Sequence, residues 1–353
     1  MPATEIGVHL SNHGDVRQSL AVARAADRVG AHTIWISEDL YFHGALPLAA
    51  AVAVQTTSSR IGFSVLTPYG THPARLAMDL ATVSALAPGR LVAGLGAGVR
   101  ERVDHMRAQW HGPVDVVRRT AQAVGSLMDG HTVDSDDPVG PADGLRLSLA
   151  EPPGAPPMYV AAMGPRALRQ AGRLFDGALL SMMAVEPHIR AAAQLVQRGA
   201  DQAGRPRPAV IASVPVRVDL DGPAALSRSR ALVAHLMQRW ATVTSLRRLF
   251  TADGHLTEDR FDRIVDRLRS GQAPALAVPA EIAIAHCPAG TTAEVADRVR
   301  SLAAAGASGV SLDIGDVTEP HAQALLADLF ARLGGPVATT ATEPALSGRP
   351  GAG

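Results

Sequence analysis

Short apolar runs alternate with amphipathic stretches along most of this chain, and that period limits the fold more than any other feature. Ile6 to Leu10 reads as a strand, Val16 to Val29 as a helix ending at Gly30, and Thr33 to Ser37 as a second strand. A helix (Leu46 to Gln55), strand (Ile61 to Leu66), helix (Ala74 to Leu86) and strand (Leu91 to Leu95) follow, then a helix from Val114 to Met128. Met158 to Ala162 supplies a fifth strand, with a helix opening at Pro165. Ala178 to Met182 is the sixth, Ile189 to Gln202 its helix, and Ala209 to Val218 the seventh. Thr292 to Ala305 is a helix, Gly309 to Ile314 the eighth strand, and a closing helix runs to about Leu333. A repeat of roughly thirty residues per βα unit implies a parallel sheet. Eight such units predict an α/β chain closed as a (β/α)₈ TIM barrel with insertions.

Three stretches break the period. His131 to Leu149 is rich in Asp, Gly and Pro and reads as a surface excursion with a strand pair, one strand being the alternating Leu145-Arg146-Leu147-Ser148-Leu149. Pro223 to Arg269 is an Arg-rich helical insertion, and Glu281 to Cys287 returns through a short apolar segment. The expected organisation is a single barrel domain over residues 1–333 with a helical insertion at about 223–270. From Gly334 the Thr, Ala, Pro and Gly content predicts a disordered tail over 334–353.

Composition removes whole classes of chemistry. The chain has 33 cationic and 33 anionic side chains, so nothing suggests a polyanion partner, and 3% aromatic residues argue against a base-stacking surface. No apolar run reaches the length of a membrane span and no basic-then-apolar leader opens the chain, which predicts a cytoplasmic protein. Cys287 stands alone, so disulfides within the chain and thiolate zinc clusters are excluded. Lysine is absent: a Schiff-base aldolase, a pyridoxal phosphate enzyme and a Walker-A nucleotidase each need that amine. No HxH or HExxH motif occurs, and no catalytic metal is expected.

In barrels of this kind chemistry sits where strands end and βα loops begin. Strand one delivers His9, Ser11, Asn12 and His13; strand two delivers Glu38, Asp39, Tyr41 and His43; strand three delivers Thr67, Tyr69 and His72. Met182 and Met183 end strand six, and Asp313 and Asp316 flank the end of strand eight. Gly94-Leu95-Gly96-Ala97-Gly98 after strand four is GxGxG, not the GxGxxG of a dinucleotide-binding turn. It is either a glycine-lined turn or a place where a flat ligand approaches backbone. After strand five, Gly164-Pro165 either merely starts a helix or, with Arg166 beside the free N–H groups of its first turn, holds a phosphate.

Several of these pieces together resemble one family over about Ile6 to Leu333. They are Trp35-Ile36-Ser37-Glu38-Asp39, Thr67-Pro68-Tyr69-Gly70-Thr71-His72-Pro73, Gly94 to Gly98, Tyr159 to Arg166, and Ala289 to Glu294. The pattern is similar to the bacterial luciferase-like superfamily, and within it to the branch that uses the 5-deazaflavin coenzyme F420, typified by methylenetetrahydromethanopterin reductase. The resemblance implies a non-prolyl cis peptide at Ser64-Val65 beneath the deazaflavin ring and a cofactor phosphate at Gly164, Pro165 and Arg166. Around these, Asp39, Thr67, Gly96, Ala97, Gly98, Ala161, Ala162, Met163 and Met182 complete the expected cofactor site. Many relatives place an acid followed by histidine after strand two, where this chain has Glu38-Asp39. Sugar-phosphate dehydrogenases of the family carry a glutamate just past the strand-four glycines, where this chain has Val99, so glucose-6-phosphate-type activity is not expected.

The function expected is an F420-dependent oxidoreductase that moves a hydride between C5 of the deazaflavin and a small organic substrate, by C=C or C=N reduction or the reverse. Glu38, His9 and His72 are the candidate proton donors or acceptors. A reduced-FMN monooxygenase and a cofactor-binding homologue without turnover are the alternatives. The partners expected are a small-molecule substrate and a second copy of the chain as a homodimer, with no nucleic acid and no membrane.

Overall fold

The apolar runs become β1 (Glu5–Leu10), β2 (Thr33–Ile36), β3 (Arg60–Phe63), β4 (Leu91–Leu95), β5 (Val133–Ser135), β6 (Ala142–Leu145), β7 (Met158–Ala161), β8 (Gly177–Leu180), β9 (Ala209–Pro215), β10 (Arg217–Val218), β11 (Ala289–Gly290) and β12 (Gly309–Asp313). The structure, a computed structural model, describes residues 4–110, 112–136, 140–251, 256–315 and 319–334. Eight of the strands close in the order β1-β12-β9-β8-β7-β4-β3-β2, each neighbouring pair parallel. This is the (β/α)₈ TIM barrel. Parallel strands are covered on both faces and need apolar residues throughout; β2, β4 and β8 are buried along their whole length.

Helices α1 (Val16–Arg28), α2 (Ala45–Gln55), α3 (Pro73–Leu86), α4 (Arg100–His105), α5 (Pro113–Met128), α6 (Pro165–Leu174) and α7 (Glu186–Gln202) follow the first strands. Five more, α8 (Gly222–Trp240), α9 (Thr244–Thr251), α10 (Glu258–Arg269), α11 (Pro274–Ala277) and α12 (Ala280–His286), make the insertion, and α13 (Thr292–Ala304) and α14 (Pro320–Arg332) end the barrel. Local signals place these ends. Asp15 caps α1 by accepting from the Gln18 N–H at 2.9 Å, and Thr291 with Glu294 forms a capping box on α13. Proline opens α6, whose Leu168 and Ala171 are buried.

The lumen is filled by Trp35, Val92, Tyr159, Leu179 and Ile211. Glycine makes the space: a Cβ at Gly62 would lie 2.4 Å from the Trp35 ring. The insertion packs a core of its own, with Val233 and Met237 of α8 against Phe261, Ile264 and Ile282, and reaches the barrel through Met183. Cys287 is buried there, and burial pushes its thiol up to about 11.

Four elements differ from expectation. Strand three stops at Phe63, and the chain bridges to β4 at Leu66, whose N–H donates to the Gly94 carbonyl (2.8 Å) and which pairs with Leu95. The run Ala209 to Val218 divides at Val216, whose N–H turns to the Asp313 carbonyl (2.8 Å), so that β10 leaves the barrel to pair with β11. In the excursion, β6 precedes the alternating stretch: Leu145 and Leu147 pack on the barrel core, but 146–149 form no strand. Glu281 to Cys287 is mostly helical, as α12. Asp316 and the tail beyond Gly334 lie outside the described residues. No helix among those described is long and apolar enough to cross a membrane.

Candidate functional site

At the carboxyl ends of the strands, the lumen plug forms the floor of a cavity of about 450 Å³, with Val65 and Leu179 belonging to both. His9, Ser11 and His13 from the β1 end, Glu38 and Asp39 from the β2 end, and Ser64 and Thr67 beyond β3 line one side. Gly98, Ala161, Met163 and Met182 line the other, with Ser213 and Asp313 between. Face α8 and the start of α9 close over it with Leu232, His235, Leu236, Arg239, Trp240 and Leu246.

Glu38 is the carboxylate that the fold desolvates. Burial raises its pKa, and the only opposing influence is the Thr67 N–H, which donates to Oε2 at 3.1 Å. His9 is desolvated too: burial lowers its pKa, against the charges of Asp313 and Asp39, which raise it, while His13 adds to the lowering. The buried Nδ1 of His9 has no hydrogen-bond partner among the described residues.

Asp39 is differently placed. Its carboxylate accepts from His13 Nε2 at 2.5 Å and from Arg102 of α4. Asn12, buried at the end of β1, fixes the same loop by donating to the carbonyls of Asp39 (3.0 Å) and His43 (2.7 Å) and accepting from the Asp39 N–H (3.1 Å). Phe42 lies stacked on His13 with Arg102 over its ring, and Tyr41 donates to the Arg102 carbonyl at 2.5 Å. The Asp39 carboxylate therefore ties α4 to the strand-two loop.

The peptide Ser64-Val65 is cis. Its Val65 sits directly over Gly96, where a Cβ would come within 2.3 Å of Val65 Cγ2. At Gly94 a Cβ would lie 1.8 Å from the Phe63 carbonyl oxygen. Both glycines are thus demanded by protein contacts, not by a ligand against backbone, and Gly96 does not reach the cavity lining. Gly98, with φ of +74°, needs the left-handed region and does line it.

Other expected residues stand apart from this cavity. Ala97 lines a smaller side pocket of about 110 Å³ with Ala161, Ala167, Gln170 and Phe175. Ala162 is core, 2% exposed. Gly164, Pro165 and Arg166 are exposed at the start of α6, which has no side-chain cap. His72 is not brought to the cavity: its Nδ1 accepts from the Ala74 N–H at 3.1 Å, capping α3, and Nε2 donates to the Pro141 carbonyl at 2.9 Å. The ring has no nitrogen left for chemistry. Sequence reasoning missed Arg102 and the α8 residues. Arg102 lies on a helix only six residues long, and the α8 stripe looks like an ordinary core-facing pattern.

A family model described as luciferase-like monooxygenase matches residues 2–309. The chain belongs to that family. The methylenetetrahydromethanopterin reductase of Archaeoglobus fulgidus is 26% identical over 296 residues, 81% of this chain and 86% of the relative. The F420-dependent glucose-6-phosphate dehydrogenase of Kribbella flavida is 33% identical over 205 residues, 56% of this chain and 61% of the relative. The solved F420-dependent tetrahydromethanopterin reductase of Methanopyrus kandleri shares the fold with a TM-score of 0.77 at 20% identity, covering 94% of this chain and 97% of that one. Luciferase-like barrels and this chain thus share both sequence pattern and architecture.

Proposed function

We propose that this chain is an F420-dependent oxidoreductase acting on a small organic substrate by C=C or C=N reduction or the reverse. The observation that carries the reading is one cavity lined by both a desolvated carboxylate, Glu38, and a desolvated imidazole, His9, whose Nδ1 has no partner among the described residues. The names of the relatives supply the cofactor class. The residues present fit such a group. A cavity of about 450 Å³ lies within the usual range for small-molecule sites, and the orphaned His9 Nδ1 offers a hydrogen bond that no group among the described residues takes.

When bound, the deazaflavin supplies or accepts a hydride at C5. Ser64, Val65, Thr67, Gly98, Ala161, Met163 and Met182 would hold its ring. The uncapped first turn of α6, with Gly164, Pro165 and Arg166, would hold its phosphate, since helix N–H groups and a guanidinium both favour an anion. Glu38, whose pKa burial raises, gives a proton to the substrate atom next to the reacting carbon, and takes it back in the reverse direction. His9 orients that atom through its free nitrogen. The α8 and α9 side chains over the mouth exclude water from the reacting groups. Val99 lines the cavity where the sugar-phosphate dehydrogenases carry glutamate, which supports a substrate other than a sugar phosphate.

The test is a titration of the purified protein with oxidised F420 and with FMN, followed by the absorbance and fluorescence of each. F420 should bind and FMN should not; binding of FMN alone, or of neither, overturns the reading. A homodimer is part of the proposal. It is supported by α2, which has no charged side chain and leaves Val54 64% exposed, and it is checked by light scattering in solution.

A further inference from the structure

The insertion brings to the cavity a positive charge that no anionic group among the described residues answers. Along α8, Leu232, His235, Leu236 and Arg239 recur at the spacing of one helical face, and all four line the cavity. The other fixed charges of the lining are compensated: Asp39 by Arg102 and His13, and Asp313 by Arg217 at 3.8 Å. Glu38 is desolvated and accepts a backbone N–H. Arg239 has no hydrogen bond or ion pair among the described residues.

We infer that Arg239, with His235 one turn before it, receives the carboxylate of a substrate that is a small organic acid on an apolar stem. The inference rests on the reading in which the cavity holds a deazaflavin whose phosphate lies at the start of α6. A guanidinium offers two parallel N–H donors that match a carboxylate, and one guanidinium balances its single charge. Leu232, Leu236, Trp240 and Leu246 line the same cavity and give the apolar stem a surface to lie on, while Arg239, itself exposed, is free to reach the carboxylate. An acid anchored on α8 then presents its other end toward the barrel, where Glu38 and His9 stand. Substrate choice thus resides in the insertion and proton transfer in the barrel.

Isothermal calorimetry with benzoate and benzamide as probes tests this, since the two share a ring and differ in charge. Benzoate should bind the wild-type protein on the order of tenfold more tightly than benzamide, the worth of one charge-assisted contact. Arg239→Ala should bring benzoate down to the benzamide level with unchanged F420 affinity and unchanged melting temperature, and Arg239→Lys should keep part of the preference. Equal affinity for the two probes, no benzoate binding, or a preference that survives Arg239→Ala overturns the inference. So does an Arg239→Ala variant that loses F420 affinity but keeps the benzoate preference, because the charge then serves the cofactor. Failure of wild-type protein to bind F420, with the Arg239-dependent preference intact, would sink the oxidoreductase reading alone.

Discussion

Replacing Gly96 with alanine tests whether packing against Val65, which does line the cavity, is the reason for a glycine behind it. A Cβ there would lie 2.3 Å from Val65 Cγ2, 3.3 Å from Val65 Cβ and 3.1 Å from Ala161 Cβ. Carbon atoms in contact settle at about 3.5–4.0 Å, so Val65 must retreat by roughly 1 Å. Its β-branched side chain has few rotamers to move into, and the Trp35, Tyr159 and Leu179 plug stands behind it. Overpacking of this kind costs about 1–3 kcal/mol. For 353 residues at about 2.1 cal/mol/K of unfolding entropy each, that lowers Tm by only about 1–4 °C, so denaturant unfolding is the sharper assay. Val65→Ala removes Cγ2 and with it the worst clash. The double variant should therefore recover much of the loss, with a coupling of about 1–2 kcal/mol in the double-mutant cycle. Because Val65 lines the cavity, Gly96→Ala should also weaken F420 binding, and Val65→Ala in that background should restore part of it. Additive losses with no coupling would refute the steric account. Intact stability with abolished F420 binding would instead show that the glycine makes room for the ligand.

Three further outcomes follow from the same geometry. Glu38→Gln should keep F420 affinity and lose turnover; in the wild-type protein the reductive rate should fall as pH rises through the raised Glu38 pKa, and a variant rate with the same pH limb would remove Glu38 from the proton path. Asp27 accepts from the N–H groups of Thr57 (2.9 Å), Ser58 (3.1 Å) and Ser59 (2.7 Å) and from the Thr57 and Ser58 hydroxyls, so Asp27→Ala should cost roughly 2–3 kcal/mol in urea unfolding at neutral pH. Burial alone would raise the Asp27 pKa, but these bonds outweigh it and lower it; the stabilisation is present above the unfolded value of about 4 and lost as pH falls through the folded one, so the gap between variant and wild type should close in acid, and a gap constant with pH would refute the carboxylate's role. Arg166→Ala should weaken F420 binding about tenfold in a fluorescence titration, and unchanged affinity would remove the α6 start from the cofactor site.

The barrel was legible because its strands, buried on both faces, read as unbroken apolar runs and its helices as 3.6-residue stripes. Legibility stopped where a contact depends on another part of the chain. Glycines 94 and 96 look like a ligand turn in one dimension, yet the Phe63 carbonyl and Val65 claim their missing side chains. His72 looks like a barrel-top base, but the Pro141 carbonyl, 69 positions later, takes its free nitrogen. Glu38 and His9 were recognisable from their place at strand ends, since strand position alone fixes which residues meet at the mouth. The α8 face could not be placed that way. Leu232, Leu236 and Trp240 carry the pattern of a helix packed on a core, and only the tertiary arrangement turns that face toward an open cavity. Arg239 within it is the sign that distinguishes the two cases: a core-facing stripe excludes an unpaired guanidinium, because leaving one in a dry interface costs several kcal/mol. A charge retained on an apolar stripe therefore marks a face that meets solvent or ligand. On the proposed reading, substrate discrimination then falls to the helical insertion, a stretch that the βα period does not specify.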